Sequence, residues 1–171
     1  MKIEGHEPGL AQDKIVLQRG DERTPITFLA TALPMGFVEG IEADISSPVP
    51  RIIGFKKKIG GGMLLGPDRK PIEETEINTP AFKQKVEAAN LLQSTIMVTK
   101  GLESDPAVSF DTNREECDSA ADYATKINKE MADFGLSGGD FNYVLKEILR
   151  ISNPSLKKME AIREGFLSEA E

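Results

Sequence analysis

The sequence predicts an α+β fold, with N-terminal β-hairpins forming a small antiparallel sheet and a C-terminal bundle of about four helices. β-rich runs at Lys14 to Gln18 and Thr24 to Thr31 flank a polar, glycine-containing turn. From residue 79 onward apolar residues recur at helical spacing, and the segments that carry them open on capping residues and close on glycines. These observations divide the chain into a flexible N-terminal tail over 1–13, a β-rich subdomain over 14–77 and a helical subdomain over 78–171.

The first hairpin turns through Arg19 to Arg23. Pro25 lacks an amide donor, which puts the start of the second strand at a sheet margin. The Arg-Gly-Asp triplet at 19–21 is turn chemistry in this context. Beyond Leu33-Pro34, the spacing of Phe37, Val38, Ile41 and Ile45 predicts a short amphipathic helix, weakened by Gly36 and Gly40 and broken by Pro48 and Pro50. Arg51 to Phe55 reads as another strand. Lys56 to Gly62 combines three lysines with three glycines, and the freedom of the glycines predicts a mobile loop. Met63 to Leu65 and Ile72 to Ile77, joined by a Gly66 to Pro71 turn, predict a second, weaker hairpin.

The helical half is well punctuated. Thr79 as cap and Pro80 as first residue open a helix with Phe82, Val86, Ala89 and Ile96 on one face and a stop at Gly101. Thr112 to Glu115 has capping-box spacing and predicts a helix whose stripe runs Cys117, Ala120, Ala124, Ile127, Met131, Phe134 to a stop at Gly135. Ser137 with Asp140 opens the next, carrying Phe141, Val144, Leu145 and Ile148. Asn153-Pro154 restarts a fourth, with Leu156, Met159, Ile162, Phe166 and Leu167 inward.

Composition narrows the function classes. The chain has 171 residues, 39% of them hydrophobic, and a net charge of −7. Ten Lys/Arg stand against nine Asp/Glu up to Lys70, and eleven against nineteen after it, so the helical half is acidic and disfavours phosphate backbones. The apolar runs are far shorter than the ~20 residues of a membrane span, and the charged N-terminus lacks a signal-peptide core. The expectation is a cytoplasmic protein.

His6 is the single histidine and Cys117 the single cysteine, so one chain can assemble neither a histidine-based triad nor a cysteine-rich zinc site. Cys117 is expected as a small core residue. The triple glycine lacks the Gly-Lys-Ser/Thr of a phosphate loop, and its glycines are consecutive where a dinucleotide fingerprint spaces them. Glu115, Glu116, Asp118 and Asp122 cluster at a predicted helix start, where they complement its dipole as a solvated face. The reading is a chain with no catalytic, cofactor or metal residues that acts by binding proteins. Its predicted partner-binding residues are Leu91 and Leu92, which extend the apolar surface beyond one helix face, with Phe141, Val144, Leu145 and Ile148.

The order of segments resembles the tail assembly chaperones of long-tailed bacteriophages over about residues 14 to 151. The resemblance rests on the hairpin from Ile15-Val16-Leu17 to Ala32-Leu33-Pro34, a proline-containing linker, and the helix start Asn78-Thr79-Pro80-Ala81-Phe82. The exit Val98-Thr99-Lys100-Gly101-Leu102 and the restart Gly135-Leu136-Ser137 complete it. It implies a non-enzymatic viral protein of the host cytoplasm that binds the tape-measure protein, keeps it soluble and helps recruit tail-tube subunits; separately, the apolar excess at Leu91 and Leu92 leaves a homo-oligomer as an alternative to a partner groove. The basic glycine loop at 56–62 departs from the expected layout. Two further readings stand beside it: a permanent structural subunit of a tail or baseplate, and a small enzyme built on carboxylates or a phosphate loop.

Overall fold

The computed structural model describes residues 10–18 and 25–153. They belong to two compact units, one comprising the chain up to Ile45 together with the chain from Leu92 onward, the other Ser46–Leu91. This partition differs from a boundary between 77 and 78, because the first hairpin shares its core with the later helices.

In the first unit, β1 (Gln12–Leu17) and β2 (Ile26–Thr31) pair antiparallel with Ile15 opposite Phe28. Alternation does what the pleat requires: Ile15, Leu17, Phe28 and Ala30 are buried while Val16 faces solvent. The hairpin lies on α4 (Gly138–Ser152), which contributes Phe141, Val144, Ile148 and Ile151 to the core. Val98 and Leu102 from the end of α2 (Pro80–Leu102) and Ile127 and Met131 from α3 (Ala120–Asp133) complete it. The predicted short helix is present as α1 (Phe37–Asp44), entered through Gly36 at φ 77°. A smaller cluster joins Ile45, Ala120 and Ala124 to Leu92 and Ile96, and there the buried Gln93 amide donates to the Ile45 carbonyl at 2.7 Å.

The caps set the element boundaries. Ser137 and Asp140 form the predicted capping box: the Asp140 N–H donates to the Ser137 hydroxyl at 3.1 Å and the Ser137 N–H to the Asp140 carboxylate at 3.0 Å. Gly135, at φ 90°, ends α3 with its N–H on the Ala132 carbonyl and that of Leu136 on the Met131 carbonyl, a Schellman closure. The box predicted at Thr112 does not form. The Thr112 N–H and hydroxyl both bond to Glu130, and α3 starts later, with Ser119 as its N-cap accepting from Asp122 N at 3.1 Å. Glu115 and Glu116 therefore lie in a single 3-10 turn, Arg114–Glu116, and Asp118 in the connection, leaving Asp122 alone in the first turn of α3. Cys117 follows that turn half-exposed rather than in the core, and Phe134, past the end of α3, is exposed. The helix predicted after Asn153-Pro154 lies outside the described residues.

In the second unit, β3 (Ile52–Phe55) pairs antiparallel with β4 (Glu73–Thr75), with an irregularity between Ile52 and Gly54. The predicted second hairpin survives only near its turn, where Leu65 bridges Pro71 and the Gly66 N–H meets the Lys70 carbonyl at 2.8 Å. Beyond Ile72 the strand leaves that partner for β3, and Glu76–Asn78 is a 3-10 turn. It leads to Thr79, whose hydroxyl accepts from the Phe82 N–H at 3.2 Å and caps α2. Lys56 to Gly62 forms a hydrogen-bonded turn. Lys58 N–H donates to the Gly62 carbonyl at 2.9 Å, and Gly60, Gly61 and Gly62 all take positive φ, between 86° and 97°. A side chain would be strained at each, which is why three glycines stand together.

Candidate protein-interaction surface

The stripe expected to meet a partner is mostly interior. Phe141, Val144 and Ile148 are buried between the hairpin and the helices, and Leu145 packs half-buried against the same cluster. Leu92 is half-buried beside Ile45 and Ala124. Leu91 alone of the six is exposed, at 43%. The cause is simple: a two-stranded hairpin has too little apolar surface to stand alone, so its inner face is covered by the α4 stripe together with Val98, Leu102, Ile127 and Met131.

The apolar surface that the fold leaves open is in the second unit. Three backbone hydrogen bonds close a ring there: Lys56 N–H to the Ile72 carbonyl at 2.9 Å, Ile72 N–H to the Leu64 carbonyl at 2.9 Å, and Leu64 N–H to the Lys56 carbonyl at 2.7 Å. From this ring radiate three short pairings, β3 with β4, Lys57 with Met63, and Leu65 with Pro71. The result is a three-armed β junction held by backbone bonds. Between Ser46 and Thr79 no residue is buried, and nine large apolar side chains from Val49 to Ile77 are exposed, including Ile52, Ile53, Phe55 and the fully exposed Ile59. Scattered exposed apolar residues are ordinary, whereas nine on one segment without a buried residue make that segment the candidate interaction surface.

The electrostatics of this β junction are equally uneven. Arg51 precedes β3 and Lys56, Lys57 and Lys58 follow it, all exposed, and none of these four forms an ion pair with another described residue. The β4 side carries Glu73, Glu74 and Glu76. Between Ser46 and Leu91 there are eight Lys/Arg and five Asp/Glu, so this unit is positive within a chain of net charge −7.

The first unit has two clefts, of about 640 and 560 Å³, on either side of the connection between α2 and α3. Val108 and Phe110 of that connection line both. The Arg114 guanidinium stands 5.9 Å over the Tyr123 ring, and burial pushes the Tyr123 phenol up. The polar groups here serve the fold: Glu130 accepts from Asp111 and Thr112, and the buried Asp105 from Leu29 and Ala107. Among the described residues no cluster of His, Cys, Asp or Glu is arranged to hold a metal ion, and none of the helices is long and apolar enough to cross a membrane.

Sequence reasoning assigned Ile52, Ile53 and Phe55 to a strand and stopped there. The signal that could have found them is the mismatch between a run of apolar residues with no polar alternation and flanking strands too short and too charged to cover both of its faces. Compared with protein-family models, with curated proteins and with solved structures, the chain matches none of them.

Proposed function

We propose that this chain is a non-enzymatic assembly chaperone, of the kind its segment order resembles in long-tailed bacteriophages, and that it binds the tape-measure protein and aids tail-tube assembly. The observation that carries the protein-binding part is the β junction, whose exposed apolar side chains have no core of their own. A protein that must hold a long client and then release it benefits from an apolar surface on a small backbone-bonded scaffold. Contacts there form without the chain first having to unfold. The acidic first unit supports the same reading, because like-charge repulsion keeps loaded complexes apart in solution.

The viral assignment, the host cytoplasm as location and the named client all derive from the resemblance, so the experiment addresses them directly. The longest reading frame found beside the gene for this chain, as the expected tape-measure protein, is expressed alone and with it. Co-expression is expected to move the long protein from the pellet to the soluble fraction, in a complex that carries both chains. Mass spectrometry of purified particles is expected to lack this chain. Stoichiometric presence in the particle would replace the chaperone reading with that of a permanent tail or baseplate subunit, whose packed neighbours would cover the same surface. An unchanged pellet together with absence from the particle would remove both.

A further inference from the structure

We infer that the open edge of β3 takes an extended, acidic segment of a partner protein as an added strand, with a short apolar stretch over Ile52–Phe55 and Asp or Glu at its ends. This rests on the protein-binding reading and specifies the chemistry of what is bound.

Three observations carry it. The first is the contrast between two edges of one protein. Among the described residues both sheets have two strands, so every strand has a side without a partner strand. In the first unit that side of β2 is closed by side chains: the Leu29 N–H donates to Asp105 at 2.7 Å, and the Thr31 hydroxyl meets that of Ser104. Proteins protect edges in this way because unpaired N–H and C=O groups template a further strand. The side-chain bond described beside β3, 3.3 Å from the Arg51 N–H to Glu76, lies on the side paired with β4, where the Glu76 N–H also donates to the Arg51 carbonyl, and Ile-Ile-Gly-Phe contains neither a charge nor a proline to repel a strand.

The second is charge. Arg51 at one end of β3 and Lys56, Lys57 and Lys58 at the other bracket the apolar stretch with cations that form no ion pair among the described residues. A strand laid along β3 meets positive charge at both ends and apolar side chains between, which sets an acid, apolar, acid pattern on the partner. Main-chain bonds then give affinity and the ends give selectivity. The β4 edge, with Glu73, Glu74 and Glu76, repels the same segment.

The third is what this arrangement disfavours. Two copies joined antiparallel through β3 would set Arg51 of each against the lysines of the other. An anionic membrane would be drawn to the lysines but would also meet the three glutamates of the neighbouring strand. A free acidic segment meets neither repulsion.

The test uses the full chain and two labelled peptides read by fluorescence anisotropy, one of pattern Glu-Asp-Val-Thr-Val-Ile-Glu-Asp and one with lysine at every acidic position. The acidic peptide is expected to bind at least about tenfold more tightly, with the difference shrinking as salt shortens the Debye length. The K56E/K57E/K58E variant should invert the preference, and Ile53→Asp, at an exposed position, should abolish binding of the acidic peptide while leaving the circular dichroism unchanged. Equal binding of the two peptides, or a preference that survives charge reversal, would overturn the inference. So would lysine-dependent self-association in sedimentation velocity, or lysine-dependent flotation with phosphatidylserine vesicles, if the acidic peptide fails to bind. The two readings fail separately. Loss of client capture in Ile53→Asp without any peptide preference sinks the acidic-strand inference alone, whereas unaltered capture by both variants sinks the β junction as the client site.

Discussion

Gly101 lies against Ile148 where α2 crosses α4, so closely that a β-carbon on Gly101 would stand 2.5 Å from Cδ1 and 2.8 Å from both Cγ atoms of the isoleucine. Ile148 is fully buried and branched at Cβ, which leaves it little room to turn away. The stop-like glycine of the sequence is therefore a contact residue inside the helix, which runs on to Leu102.

Gly101→Ala should accordingly destabilise the protein. Helix propensity alone would favour alanine by about 1 kcal/mol, but overpacking a filled core costs about 1–3 kcal/mol. Ile148→Ala alone should cost about 2–5 kcal/mol. In the double variant the alanine at 101 occupies space that the isoleucine vacated, so the combined loss should be smaller than the sum. Urea denaturation of all four proteins measures this coupling, and strict additivity would show that the helices separate freely.

Asp105 closes the edge of β2 from the far end of α2. One carboxylate oxygen accepts from Leu29 N–H at 2.7 Å and the other from Ala107 N–H at 2.9 Å, in a side chain that is itself buried. Asp105→Ala should cost about 1–3 kcal/mol, since both donors lose their partner. Asp105→Asn keeps one acceptor oxygen and should cost less. Amide exchange at Leu29 is the specific readout, with protection expected to fall in the alanine variant before the rest of the hairpin opens.

Glu130 ties the connection before α3 to the last turn of that helix, accepting from Asp111 N–H and Thr112 N–H, each at 2.9 Å, and from the Thr112 hydroxyl. Burial pushes its carboxyl up, but the bonds from Thr112 and Asp111 outweigh that and hold it below the ordinary glutamate range. A carboxyl depressed in the folded state stabilises above its unfolded value, and the contribution is lost as pH falls through the folded value. Thermal melts over the acidic range should therefore converge for wild type and Glu130→Gln at low pH and separate above the glutamate range, with wild type the more stable. Parallel curves would show that the clamp does not depend on the charge.

How far the sequence discloses this molecule depends on how local each signal is. The Ser137 and Asp140 box, the Gly135 stop and the Thr79-Pro80 start are satisfied by neighbours within a turn, and each is found where the residues predict it. The Thr112 to Glu115 spacing was equally good as a pattern but lost to Glu130, 18 residues away, which captures the Thr112 hydroxyl. No local rule weighs such a competitor. The same applies to the surface. Whether an apolar stripe is core or interface depends on what covers it, so the stripe on α4 turned inward under the hairpin while the plain strand at Ile52–Phe55 stayed open.

Val144 and Leu91 separate these two fates in one experiment. Val144 is fully buried and Leu91 is exposed, though both were candidates for partner contact. An aspartate at 144 would be an unpaired charge in the core, where ionisation costs several kcal/mol or more and protonation still leaves a polar group without partners. Val144→Asp, and Phe141→Asp beside it on α4, should therefore lose the cooperative melting transition and client capture together. Leu91→Asp should keep the wild-type melting curve, and any loss of capture would then report a contact with the client. If Val144→Asp instead melted like wild type while failing to capture the client, α4 would be a displaceable element, and the packing of the hairpin against it would be one of two states.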